Sequence, residues 1–184
     1  MTGENKKPEI LALNPFGKVP ILVEGDFVLY ESRAIARYIN DTRGGKLIPA
    51  DLKKRAIMEQ WVSLEEGTLS PLLGNIVRHR YYGLKFGREA DEEAVRKAIE
   101  QSAKGLDVMN DHLAKNEYLA GDQFTLADAF FLPNIALLMR TSESSLIGRR
   151  QHLAAWWQRV SARDAWKKTD ALNVLEHKEH EQKA

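Results

Sequence analysis

Apolar residues change their spacing twice along the chain. Val19 to Val23 is a short β-branched and aliphatic run, Glu24-Gly25-Asp26 is a turn signal, and Phe27 to Tyr30 is a second apolar run of strand length. The pattern predicts a hairpin. Ile35, Ala36, Tyr38 and Ile39 then recur at helical spacing, which places Ser32 as the N-cap of a helix. Thr42 to Leu52 breaks the period with Gly44-Gly45 and Pro49 and reads as a linker. From Lys53 onward the spacing is helical: Ala56, Ile57, Gln60, Trp61, Leu64, Leu72, Leu73, Ile76 and Val77 form a stripe, with Pro71 expected to bend it. Residues 81–87 hold Tyr81, Tyr82 and Phe86 with Gly83 and Gly87, a break in which packed aromatics are expected over a lid. Asp91 begins a helix whose Val95, Ile99, Leu106, Met109 and Leu113 face inward. Thr125-Leu126-Ala127-Asp128 has capping-box spacing, with Phe124 as a staple, and the apolar run through Met139 reads as the central buried helix. Trp156, Trp157 and Trp166 read as core, and Thr125 and Asp128 as structural capping residues without a catalytic role.

Chemistry concentrates in residues 14–39. A helix starting beside Ser32 turns free backbone N–H groups and the positive dipole end toward the strand ends, a seat for a carboxylate. Glu31 offers the opposite charge for an ammonium group. Val19-Pro20 stands where a strand begins, and a cis bond there would turn the Val19 backbone outward to pair with an extended peptide. Lys6, Lys7 and Lys18 are close enough in sequence to meet a second carboxylate. Each residue alone also reads as an ordinary cap, a solvated acid or a strand start. Their joint occurrence describes a seat for a small peptide with a free γ-linked head, for which glutathione is the candidate.

The run KKPEILALNPFGKVPILVEGDFVLYESRAIARYI resembles the second half of the thioredoxin-like domain of cytosolic glutathione transferases, and its NPFG, VP and ESRAI wording is closest to the phi class. EYLAGDQFTLADAFFLPNI and RRQHLAAWWQRVSARDAW resemble the same class further along. The resemblance implies an α+β, mostly α, chain: a partial thioredoxin-like domain of helix, β-hairpin and helix over 1–42, a linker over 43–52, an all-helical domain over 53–172 and a charged tail over 173–184. It implies a transferase that joins the glutathione thiolate to a hydrophobic electrophile, with glutathione as co-substrate, no permanently bound cofactor and a homodimer as the working form. By the same resemblance Val19 pairs with the cysteinyl unit beside cis-Pro20, Glu31 and Ser32 hold the γ-glutamyl group, and Lys6 and Lys18 lie near the glycyl carboxylate. Lys18 stands where the family has Gln, and Asn5 where the phi pattern has His. Phe16, the aromatic key, and Arg33 fall at the dimer interface.

One part of the family pattern is missing. The family's strand–helix–strand opening carries the Ser, Tyr or Cys that activates the thiol, and here no Ser, Tyr or Cys precedes Tyr30. No catalytic residue is assignable, and with an unpaired strand edge the expectation is either a truncated product or a hairpin that survives only by packing on the helical part. The alternative function is a non-catalytic module binding glutathione or hydrophobic ligands and dimerising through the same fold.

Composition removes other classes. The 184 residues, 43% hydrophobic, suffice for one sizeable core or two small ones. A net charge of +1, from 27 basic and 26 acidic residues, gives no reason to expect nucleic acid or an anionic membrane. With no cysteine, no secretory signal and no long apolar run, a cytoplasmic location is expected. Asn40-Asp41-Thr42 matches a glycosylation sequon by chance, and His177 and His180, at metal-ligand spacing, read as part of a charged terminus, so no metal is expected.

Overall fold

Gly25 closes the hairpin. It stands at φ +58 while Asp26 keeps a negative φ, the combination of a two-residue type II′ turn that matches the twist of the flanking strands. In the computed structural model, which describes residues 3–169, strands β1 (Ile21–Glu24) and β2 (Phe27–Tyr30) pair antiparallel, Ile21 opposite Tyr30 and Glu24 opposite Phe27. The described residues divide between Ala50 and Asp51 into two units.

In the first unit a 3-10 turn (Glu4–Lys6) and helix α1 (Pro8–Leu13) precede the hairpin, and helix α2 (Ser32–Thr42) follows it. Pro8 opens α1, where its missing N–H is no loss. The hairpin is tied to α2 through Glu24, whose carboxylate accepts from the Tyr38 hydroxyl at 2.7 Å and from Arg43 at 2.5 Å. The hydroxyl, then the guanidinium, hold that carboxyl below the usual carboxylate range. Phe27 packs on the Tyr38 ring with centroids 5.0 Å apart. Asn40, at the end of α2, accepts from the Leu47 N–H at 2.9 Å, and Gly45 N–H donates to its carbonyl at 2.8 Å. A side chain at Gly45 would put its Cβ 2.6 Å from the Asn40 amide oxygen, so only glycine lets the chain fold back there. These contacts fold 43–50, the greater part of the expected linker, onto the first unit, and they occupy the sequon asparagine.

The second unit is helical. Helix α3 (Leu52–Leu64) continues through a π-turn (Glu65–Leu69) into α4 (Ser70–Val77) and a second π-turn (Arg78–Gly83). Then follow α5 (Glu92–Leu113), α6 (Leu126–Leu138), α7 (Ser145–Gly148), α8 (Gln151–Ser161) and α9 (Asp164–Thr169). Asp51 and Asp91 cap α3 and α5, each accepting at 2.9 Å from the N–H three residues on. Met58, Leu73, Ile76, Leu106, Met109, Phe131, Ile135 and Trp156 are fully buried, and α6 contributes more buried residues than any neighbouring segment of its length.

Three expectations change here. The first half of the apolar stripe is displaced: Ala56, Ile57 and Gln60 are exposed, while Met58, Trp61 and Val62 are buried. Pro71 sits in the first turn of α4, directly after a π-turn that interrupts the i→i−4 ladder. The 81–87 aromatics are not core: Tyr82 and Phe86 are 40% and 54% exposed and stack on one another, 6.5 Å apart and 11° from parallel. The tryptophans divide, Trp156 wholly buried and Trp157 and Trp166 only half-buried. His177 and His180 lie outside the described residues.

Asp128 does more than cap α6. Beside its capping-box partner Thr125, whose N–H and hydroxyl donate at 2.9 and 3.1 Å, it accepts from the Leu119 N–H at 3.0 Å and the Trp156 indole at 2.8 Å. Burial pushes its carboxyl above the ordinary aspartate range and these four donors pull against that shift.

Candidate functional site

The hairpin register decides which groups meet. With Ile21 opposite Tyr30, Val19-Pro20 enters and Glu31-Ser32 leaves at the same end of the ladder. The Val19-Pro20 peptide is cis, Val19 is 70% exposed, and no hydrogen bond to its main chain occurs among the described residues. That backbone is open to an added strand.

Glu31 stands at φ 74, the one non-glycine residue at positive φ among those described. Such a conformation costs about 1 kcal/mol or more and persists where surrounding structure imposes it, commonly at binding sites. The turn carries the chain into the helix one residue earlier than sequence spacing suggests. Ser32 is therefore the first helical residue rather than the N-cap, and Glu31 in the cap position makes no side-chain cap bond. Helix α2 uses neither side chain: the Ser32 hydroxyl and the Glu31 carboxylate are exposed and without a hydrogen-bond partner among the described residues. An acid, a hydroxyl and the first N–H groups of an 11-residue helix thus share one mouth.

The loop before Val19 is braced from three sides. The Lys6 ammonium donates to the Phe16 carbonyl at 3.0 Å, the Asn5 amide to the Gly17 carbonyl at 2.7 Å and the Asn14 amide to the Lys18 carbonyl at 2.8 Å. Asn14, 1% exposed, also accepts from the Phe16 N–H at 3.1 Å, an Asx-turn that starts the loop. Gly17 is favoured by its φ of +57, and its bare α-carbon leaves the Lys6 side chain room to lie across it. The Lys18 side chain is exposed and has no partner among the described residues. Phe16 is 63% exposed and meets Tyr30 edge-on, centroids 6.1 Å apart, while Arg33 is half-buried with its carbonyl accepting from Arg37 at 3.2 Å. Sequence reasoning did not assign Asn14 a role; the Asn-Pro pair, a turn initiator, was the available signal.

Among the described residues no cluster of three or more His, Cys, Asp or Glu side chains could hold a metal ion, and no helix is long and apolar enough to cross a membrane.

A hairpin entered through a cis-proline and left through an acid and a serine at a helix mouth, followed by a purely helical unit, defines a thioredoxin-like peptide-binding half joined to a helical domain. The glutathione S-transferase N-terminal domain profile matches residues 1–42 and the C-terminal domain profile residues 61–164. The chain is 40% identical over 179 residues to glutathione S-transferase F10 of Arabidopsis thaliana, covering 95% of this chain and 83% of that protein. It is 44% identical over 182 residues to glutathione S-transferase 3 of Zea mays, covering 95% and 80%. Glutathione S-transferase I from maize, solved with an atrazine glutathione conjugate, superposes with a TM-score of 0.84 at 34% identity, covering 93% of this chain and 81% of the other. The chain belongs to the glutathione S-transferase family, and its plant relatives are of the phi class.

Proposed function

We propose that the chain binds glutathione at the open end of the hairpin and serves a transferase that joins the glutathione sulfur to a hydrophobic electrophile. The observation that carries the reading is the union, at one end of the ladder, of an unpaired Val19 main chain with the unengaged Glu31 and Ser32 side chains at the mouth of α2. Glu31 takes the γ-glutamyl ammonium, while Ser32 and the first N–H groups of α2 take its carboxylate. Val19, beside Pro20, pairs with the cysteinyl unit. Lys18 meets the glycyl carboxylate together with Lys6, whose ammonium keeps two further N–H groups after binding the Phe16 carbonyl. The thiolate attacks the electrophile, the carbon–sulfur bond forms, and the leaving group departs with the bonding pair; for an addition, a proton is taken up instead. Phe16 and Arg33 belong to a homodimer contact, and the cytoplasm is the compartment this chemistry suits.

A second reading rests on the same open hairpin end and helix mouth alone, without thiol chemistry. In that reading the chain is a non-catalytic glutathione- or hydrophobic-ligand-binding module. Retention on immobilised glutathione followed by conjugation of a generic aryl halide separates the two. Retention with turnover supports the enzyme, retention without turnover the module, and no retention removes both. Ser32→Ala should abolish retention; unchanged retention would remove the head-group site.

A further inference from the structure

Three consecutive carbonyls, those of Phe16, Gly17 and Lys18, are each captured by a side chain, and the three donors come from two places, Asn5 and Lys6 on the opening 3-10 turn and Asn14 at the end of α1. Three carbonyls in a row with dedicated donors fix a loop's course far more closely than its two ends do, because each captured carbonyl removes the freedom of one peptide plane. The peptide immediately following is the cis Val19-Pro20 unit, whose own main chain is left open. The donors are matched to their places. Asn14 is buried and works in both directions, accepting from Phe16 N–H and donating to Lys18 carbonyl, so it sets the width of the loop. Asn5 is half-buried and its amide points into the loop, at 2.7 Å from the Gly17 carbonyl, rather than outward. Gly17 leaves the Lys6 side chain room to lie across its α-carbon.

We infer that Asn5 and Asn14 are positioning residues that hold the Val19 main chain ready to pair with the peptide part of glutathione, while leaving its γ-glutamyl head to Glu31 and Ser32. The inference rests on the glutathione site proposed above. It assigns Asn5, at a position where the phi pattern has His, to the loop and not to the ligand. It also divides the binding energy between two structures that can be perturbed separately, the loop and the helix mouth.

Calorimetric titration of the intact chain with glutathione and, by NMR at higher concentration, with free L-glutamate separates them. Asn5→Ala and Asn14→Asp should each weaken glutathione by about tenfold or more and leave glutamate within about twofold of wild type, since glutamate touches only the helix mouth. If Asn14→Asp, altered at a buried position, fails to fold, Asn5→Ala at its half-buried position decides. Glutathione affinity unchanged in Asn5→Ala would overturn the inference, as would an equal loss for glutathione and glutamate. Wild-type chain that binds neither ligand would instead overturn the site, a different result from a bound wild type with indifferent variants.

Discussion

The indole N–H of Trp156, on α8, donates to Asp128 Oδ1, on α6, at 2.8 Å, with both residues removed from solvent. The same carboxylate serves Leu119 and Thr125, so one buried acid fastens the loop before α6, the cap of α6 and the side of α8. Asp128→Ala leaves buried donors unmet and should destabilise the second unit by about 3 kcal/mol, whereas Asp128→Asn, which keeps an oxygen for two of them, should cost about 1–2 kcal/mol. Urea unfolding followed by tryptophan fluorescence reads both; equal losses would mean that the donors are satisfied some other way.

His112 adds a pH term to the same region. Its ring lies 4.9 Å from that of Trp61, its Nε2–H donates to the Leu119 carbonyl at 3.0 Å, and burial pushes the imidazole below its usual value in spite of that bond and of Asp128. A lowered folded pKa means that the unfolded chain binds the proton more readily. The contribution is therefore whole above the unfolded value, about 6.5, and is lost as pH falls toward and through the lowered one. Stability measured from pH 7.5 down to pH 5 should decline more steeply for the wild type than for His112→Gln. Parallel profiles would contradict this.

The left-handed turn at Glu31 makes a separate prediction. At φ 74 a Cβ is strained and a glycine is not, so Glu31→Gly should exceed Glu31→Ala in stability by about 1 kcal/mol, although glycine is ordinarily the poorer of the two. Both variants should lose affinity for glutathione. A more stable alanine variant would show that the turn is not held against its own preference.

Gly105 is where α5 approaches the first π-turn. A Cβ there would lie 2.7 Å from Leu69, which is itself 3% exposed, so Gly105→Ala should cost about 1–3 kcal/mol through overpacking. Adding Leu69→Val should recover part of the loss, a coupling that a double-mutant cycle measures directly.

Much of this arrangement was legible in the residues. The hairpin followed from two apolar runs about Gly25, and the α5 and α6 starts from Asp91 and the Thr125–Asp128 spacing, because turns and caps are local chemistry that a sequence displays. The phase of α3 was not, because Ala56, Ile57 and Gln60 fit a regular stripe and nothing in their neighbours announces a π-turn. Nor was the surface stack of Tyr82 and Phe86, since aromatic residues ordinarily mark a core. At the site, Glu31 and Ser32 were readable as a pair, but the turn that frees both from capping depends on a backbone angle, and the service of Asn14 to its own loop depends on three dimensions.

The π-turn at Glu65–Leu69 also gives the long helix a tolerance to length that its composition does not show. One residue removed from that turn would let it relax to an ordinary α-turn with little change of phase, because a π-turn carries about one residue more per revolution than an α-turn does. Leu73, Ile76 and Val77 would keep the interior they now fill. The segment is thus a place where a single-codon deletion can be absorbed, whereas the same deletion in the α-helix on either side would turn the apolar face away.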